Sequence, residues 1–138
     1  MAVSLTISQG EQKRVADLAY DNKTYKVFLA NNTTSLTAES TASAWLAIEL
    51  ASSNGYAAVT GTVATGTGAW DGTDGRYEFP PVIATFTATG AGYTYNSVVV
   101  RIGSEASVFG VGVESPSITL SAGQSQSYSI TFGQNDNG

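Results

Sequence analysis

The sequence predicts an all-β fold: an antiparallel β-sandwich, jelly-roll or immunoglobulin-like, of about seven to eight strands with one or two short helices. Three observations carry this. Apolar and polar residues alternate with a period of two through several short segments, the pattern of a strand with one buried face. Turn signals built on Gly, Asn, Asp, Ser and Pro recur at spacings of about 8 to 12 residues. Threonine is abundant, 17 residues beside 16 serines, and its branched Cβ fits a pleated surface. A small barrel carries the same signature. The 138 residues suit a single domain. Residues 1–23 read as an N-terminal strand or arm plus a short helix, and residues 24–138 as the sandwich body.

In chain order, Val3, Leu5 and Ile7 alternate with Ser4, Thr6 and Ser8, which predicts a half-buried strand. Over residues 9–21, Val15, Leu18 and Ala19 recur at helical spacing among charges and predict one or two helical turns. Asp21-Asn22-Lys23 turns the chain. Residues 24–30 form a strand with Tyr25, Val27 and Leu29 on one face and Lys26 and Phe28 on the other; bulk on both faces predicts a central position. Asn31-Asn32-Thr33-Thr34-Ser35 is a polar loop. Residues 41–50, with Ala44, Trp45 and Ile48 on one side, read as a short helix, an extended 45–50 stretch being the alternative. Ser52-Ser53-Asn54-Gly55 is a tight turn, because Asn-Gly tolerates positive φ.

Residues 56–63 read as a strand, and 64–75, rich in Gly and Thr and holding Trp70, as a long exposed loop or bulged edge. Residues 76–79 are extended and closed by Pro80-Pro81, which cannot donate to a ladder and so mark an edge or corner. Residues 82–88 alternate, and Gly90-Ala91-Gly92 turns the chain. Residues 93–102, with three successive valines, form the strongest strand and predict burial on both faces. Val108, Gly110 and Gly112 alternate with Phe109, Val111 and Val113 in a flat, glycine-lined strand. Ile118 and Leu120 open a last hairpin that turns at Ser121-Ala122-Gly123-Gln124 and returns through Tyr128, Ile130 and Phe132. Residues 133–138 read as a frayed end.

Charged residues make up only 12%, about half the usual share of roughly 25%. The net charge of −5 argues against a nucleic-acid partner, since phosphate binding needs clustered Lys and Arg. Four of the six bases lie in the first 26 residues, and from residue 27 onward eight acids face two bases. The main body is thus acidic and the start close to neutral; that start is either an ordinary solvated edge or a segment that docks on an acidic neighbour such as another copy. Absence of cysteine and histidine leaves no disulfide, thiolate site or imidazole base; no cofactor or metal is expected. No apolar stretch approaches the roughly 18 residues of a membrane span, and the first residues lack the form of a signal peptide. Synthesis in a cytoplasm without export by a general secretory route, and no membrane partner, are the expectation.

Catalytic constellations are scarce. Without His, no Ser-His-Asp arrangement exists, and no phosphate loop or dinucleotide fingerprint appears. Asp71, Asp74 and Glu78 cluster, but Asp71-Gly72-Thr73-Asp74-Gly75 lacks the further acids of a calcium loop, and repeated Asp-Gly is first a turn signal. Two such carboxylates define a remote hydrolase reading. Trp70, Tyr77, Tyr93 and Tyr95 lie near glycine-rich loops and suit a glycan as well as a core. Strands rich in Thr, Ala, Gly and Val leave edges with little charge to guard them; such edges are covered by assembly.

The order of segments resembles a known group. Tyr25-Lys26-Val27-Phe28-Leu29-Ala30, an apolar piece ending at Leu50, Asn54-Gly55-Tyr56-Ala57 and a glycine-rich loop come first. Tyr77-Glu78-Phe79-Pro80, Thr85-Phe86-Thr87-Ala88-Thr89, Val98-Val99-Val100 and a closing Ile118-Thr119-Leu120-Ser121-Ala122-Gly123-Gln124 follow. The pattern, over residues 24–132, resembles small virion proteins of tailed bacteriophages of the tail, fibre or head-decoration type, and its hydroxyl-rich composition looks like that of cyanophages. Ala57-Ala58 departs from it, where relatives often carry a basic residue. The resemblance implies a β-sandwich subunit located in the virion and no active site. The expected function is then non-enzymatic: a structural protein attached to the capsid, as decoration or cement, or to the neck or tail. Its expected partners are major capsid or tail and neck proteins and further copies of itself, a trimer being one form. The interaction residues expected are Val3, Leu5, Ile7, Lys13 and Arg14. The alternative is a receptor- or glycan-binding module of a fibre, carried by Trp70 and Tyr77.

Overall fold

A computed structural model describes residues 8–73 and 75–135. In chain order its elements are helix α1 (Gln9–Tyr20), strand β1 (Thr24–Ala30), helix α2 (Ala42–Leu46) and strands β2 (Val59–Thr62), β3 (Ala69–Asp71), β4 (Arg76–Glu78), β5 (Val82–Thr87), β6 (Tyr93–Ile102), β7 (Gly110–Leu120), β8 (Ser125–Ile130) and β9 (Gly133–Asn135). Strands in antiparallel sheets dominate, in the all-β, sandwich-like class that the alternation predicts. The described residues hold nine strands where about seven to eight were expected. The additions are β3, an edge strand inside residues 64–75, where a long exposed loop or bulged edge was expected, and β9, inside the expected frayed end. The strand expected at Val3, Leu5 and Ile7 lies outside the described residues.

The chain groups into two compact units. One gathers α1, the segment Thr62–Val82 and the chain from Ser129 onward; the other comprises Thr24–Gly61 and Ile83–Tyr128. The sequence reading places one break, after residue 23, and keeps 62–82 and 129–138 in the body.

In the first unit, α1 runs for 12 residues, three turns rather than one or two. Its start is fixed by Ser8, whose Oγ accepts the Glu11 N–H at 3.1 Å. The Ser-x-x-Glu spacing is a capping signal readable in the sequence. Gln12 and Ala16 are its buried residues. Strands β3, β4 and β9 form a three-stranded antiparallel sheet with β4 in the middle. The Tyr20 ring packs edge-on against Phe79 at 6.2 Å and tilted against Phe132 at 5.7 Å. Phe79 and Phe132 are both buried and joined by a Phe79 N–H to Phe132 C=O bond of 2.9 Å.

The second unit is built on a four-stranded sheet in the order β2-β1-β6-β7. The bulk on both faces of 24–30 and 93–102 predicts central strands, and β1 and β6 are the central pair, in register from Tyr25 opposite Ile102 to Ala30 opposite Ser97. Phe28 and Ala30 of β1 and Val99 of β6 lie under Trp45 of α2, with Leu36, Leu46, Ile48, Ala58, Val108 and Val111 around them. The alternate residues Val27, Leu29, Val98, Val100 and Ile102 are buried too. At about 1.5–3 kcal/mol per buried aliphatic side chain, these two strands are the largest block of apolar burial in the unit.

β5 and β8 form a separate two-stranded sheet. Thr85 faces Ser127 and Thr87 faces Ser125 through hydroxyl contacts of 2.8 and 2.6 Å, an antiparallel register. The expected hairpin between residues 118–120 and 128–132 is therefore corrected: β8 pairs with β5, and Ile118 to Leu120 continue β7 alongside β6. Four apolar alternations compete for partners here, and local spacing does not specify which pair.

Candidate assembly edge on strand β7

β7 is the outer strand of the four-stranded sheet, and no strand among the described residues pairs with its far side. The direction of its backbone follows from hydrogen bonds two strands away. Gly103 N–H donates to Thr24 C=O across the β1–β6 register, so Lys26 and Arg101, Phe28 and Val99, and Ala30 and Ser97 exchange bonds with each other. Leu29 accordingly turns its groups the other way: its C=O accepts Leu50 N–H at 3.0 Å and its N–H donates to Tyr56 Oη at 3.1 Å. By the same alternation Val98 and Val100 direct their groups at β7, where Gly112 and Gly110 stand opposite them. The bond from Phe109 N–H to Val100 C=O, 2.7 Å, agrees. The outward-facing backbone groups of β7 are those of Val111 and Val113.

The C-terminal half of the strand is guarded. Tyr95 pairs with Ile118 and Ser97 with Val113, so the four residues from Glu114 to Ser117 stand opposite the single Asn96. Pro116 sits in this bulge, where a missing N–H is tolerated on an edge strand. Bulge and proline both discourage pairing. The N-terminal half, residues 110–113, has neither, and Glu114 is the one charged residue between 106 and 120. Glu114 is held toward β8: Tyr128 Oη donates to its Oε1 at 3.2 Å and accepts from Tyr95 Oη at 2.7 Å. Val113 is 74% exposed and Phe109 39%. Among the described residues this edge is unpaired and uncharged, with apolar side chains beside it.

The residues singled out from sequence fall elsewhere. Val3, Leu5 and Ile7 lie outside the described residues. Lys13 and Arg14 are on the exposed side of α1, where each has a partner on the same helix. Lys13 Nζ reaches Asp17, and Arg14 Nε donates to Glu11 Oε2 at 2.9 Å. Glu11, held below the usual carboxylate range by its hydrogen bond to Arg14, completes a self-neutralised face. Lys13 also stands over the Tyr77 ring at 5.5 Å. Tyr77 is buried, and its hydroxyl donates to Gly68 C=O at 2.8 Å. Trp70, its cross-strand neighbour on β3, is half-buried. The structure thus brings Lys13, Tyr77 and Trp70 into one unit, with Tyr77 as core rather than surface.

Asp71 Oδ1 accepts Thr73 N–H at 2.8 Å and Asp71 C=O accepts Gly75 N–H at 2.8 Å, the bonding of a turn. Glu78 is paired with Arg76 at 2.7 Å, and Asp74 lies outside the described residues. Among the described residues no three His, Cys, Asp or Glu side chains gather. An apolar groove of about 170 Å³ beside Val63, Ala64, Thr67, Phe79, Pro80 and Val82 offers no charged group to a substrate.

Sequence reading missed the Tyr95–Tyr128–Glu114 relay, the bulge and the direction of the edge. Ser115-Pro116 between alternating segments was the one local signal of a bulged edge strand. No protein-family model, no curated protein and no solved structure matches the chain.

Proposed function

We propose that this chain is a non-enzymatic structural protein of a tailed-phage virion, which attaches to the capsid or to the neck and tail and stabilises the assembly. The observation that carries this is the uncharged edge at residues 110–113, unpaired among the described residues, beside an exposed Val113. A protein that works alone in water blunts such an edge; one that ends up packed among neighbours leaves it open. Two further features agree. β5 and β8 carry no charged residue at all and present hydroxyls outward. The order of segments over residues 24–132 resembles that of small phage virion proteins.

The glycan-binding alternative rests on Trp70 alone, because Tyr77 is committed to the core. The test is sedimentation of the purified chain with separated capsids and tails of the phage that encodes it. Saturable co-sedimentation with either supports the proposal. A chain that stays in the supernatant with both, while a glycan array gives a signal that Trp70→Ala abolishes, replaces it with the alternative.

A further inference from the structure

We propose that two copies of this chain pair through β7, antiparallel and about a two-fold axis, with Gly112 of one copy opposite Gly112 of the other. The proposal rests on the assembly reading above and names the partner at that edge.

The edge is self-complementary. Its outward groups belong to Val111 and Val113, so a two-fold centred on Gly112 sets Val111 of each copy opposite Val113 of the other. Opposite residues of this kind exchange both N–H···O=C bonds, which satisfies every outward backbone group of the open window. Directly opposed side chains share a face, so each 74%-exposed Val113 comes to rest on a valine. The other face of the junction holds glycine against glycine. Charge agrees as well: Glu114 falls opposite Gly110, not opposite its own copy, and no other charge lies between 106 and 120.

Neighbouring two-fold registers fail. Two residues toward the N-terminus, Val113 would need Phe109, whose N–H is already given to Val100. Two residues toward the C-terminus, the ladder runs into the bulge at residues 114–117. Pairing one strand with itself is two-fold by necessity, so this contact differs from the three-fold symmetry suggested by the sequence.

The chain has no cysteine, which allows a direct test. A Cβ built on Gly112 lies 4.0 Å from Val98 Cβ, an ordinary contact, and one on Gly110 meets nothing within 4 Å, so each position accepts a thiol. A residue in a non-hydrogen-bonded antiparallel pair lies about 4.5 Å from its partner, Cα to Cα, within the roughly 4.4–6.8 Å that a disulfide spans. The full-length variants Gly112→Cys and Gly110→Cys are oxidised with copper–phenanthroline and run on a non-reducing gel. The wild type and Val113→Lys are sedimented over a concentration series, with circular dichroism to confirm folding.

The expected result is a covalent dimer from Gly112→Cys, little from Gly110→Cys, a reversible wild-type dimer, and a dissociation constant raised about tenfold or more, at least about 1.4 kcal/mol, by Val113→Lys. A wild-type monomer at every concentration, equal cross-linking at both positions, or a trimer insensitive to Val113→Lys overturns the proposal. A monomer that still sediments with capsids or tails removes this pairing and leaves the assembly reading standing. A Gly112-linked dimer that binds neither does the reverse.

Discussion

Tyr56 makes two hydrogen bonds that phenylalanine cannot. Its hydroxyl accepts the Leu29 N–H at 3.1 Å and donates to Glu49 Oε2 at 2.8 Å, and Glu49 holds Lys26 at 2.6 Å. β2 is only four residues long, so the β1 edge beyond it is covered by this hydroxyl and by Leu50. Tyr56→Phe keeps the ring against Phe86 and Tyr93 and strands a buried N–H, at a cost of about 1–3 kcal/mol. Urea denaturation checks this, with an unchanged slope and a lower midpoint expected. Glycines divide by what surrounds them. Gly92 has φ +73°, and a Cβ there would run into the Leu120 carbonyl, which the pairing of Tyr93 with Leu120 holds in place. Gly123 has φ +85° and open space around it. Gly123→Ala should cost only the left-handed backbone penalty of about 1–2 kcal/mol. Gly92→Ala should cost that and overpacking of about 1–3 kcal/mol more. Equal losses for the two would show that Leu120 yields.

At the scale of elements, Asn96 shows how the bulge is stitched into the sheet. Its Oδ1 accepts Asn32 N–H at 2.7 Å and its Nδ2 donates to Asn32 C=O at 2.9 Å, so one side chain extends the β1–β6 ladder past Ala30. Asn96→Ala should lose about 1–3 kcal/mol for the groups left unpaired, and Asn96→Asp should recover little, because it replaces the donor with a second acceptor facing Asn32 C=O. Hydrogen exchange at Asn32, faster in both variants, is the local check. The elements that sequence made legible are those set by short-range chemistry. Phe28 and Val99 announced central strands by bulk on both faces, and Trp45 announced α2. The Asn54-Gly55 turn, with φ of 53° and 81°, followed from its residue types. What stayed hidden was set by distant partners. β3 pairs with β4, Trp70 standing opposite Tyr77, and β8 joins β5 although its sequence sits next to β7. At the candidate edge, Val113 and the flat glycine strand were readable, but which backbone groups face outward depends on the parity of a register that starts at Thr24. Tyr77 looked available because nothing local shows that Gly68 C=O takes its hydroxyl, whereas the Lys13–Asp17 pair was readable as an i,i+4 spacing on the expected helix.

For the whole molecule, the response to pH follows from which titratable groups are missing and which are buried. With no histidine and no cysteine, no side chain of ordinary pKa changes charge between about pH 6 and 8, and stability should be flat there. On the alkaline side, Tyr20, Tyr56, Tyr93, Tyr95 and Tyr128 are all pushed above the usual tyrosine value, in each case chiefly by burial. For Tyr128, the hydrogen bond it donates to the Glu114 carboxylate adds to that rise. A raised pKa in the folded state means that the unfolded chain loses its proton first. The stability these groups contribute is complete below about pH 10, the unfolded tyrosine value, and is lost as pH climbs from there toward the folded values. Each such tyrosine steepens the fall by up to about 1.4 kcal/mol per pH unit. The expected behaviour is a constant urea midpoint from pH 7 to about pH 9, then a sharp decline, with these five phenols ionising together with unfolding rather than before it. Tyr128→Phe should be less stable at neutral pH, having lost its bond to Glu114, yet decline less steeply above about pH 10 because one such proton is gone. A Tyr128→Phe profile parallel to the wild type would show that this hydroxyl titrates freely and that the relay to Glu114 does not hold it.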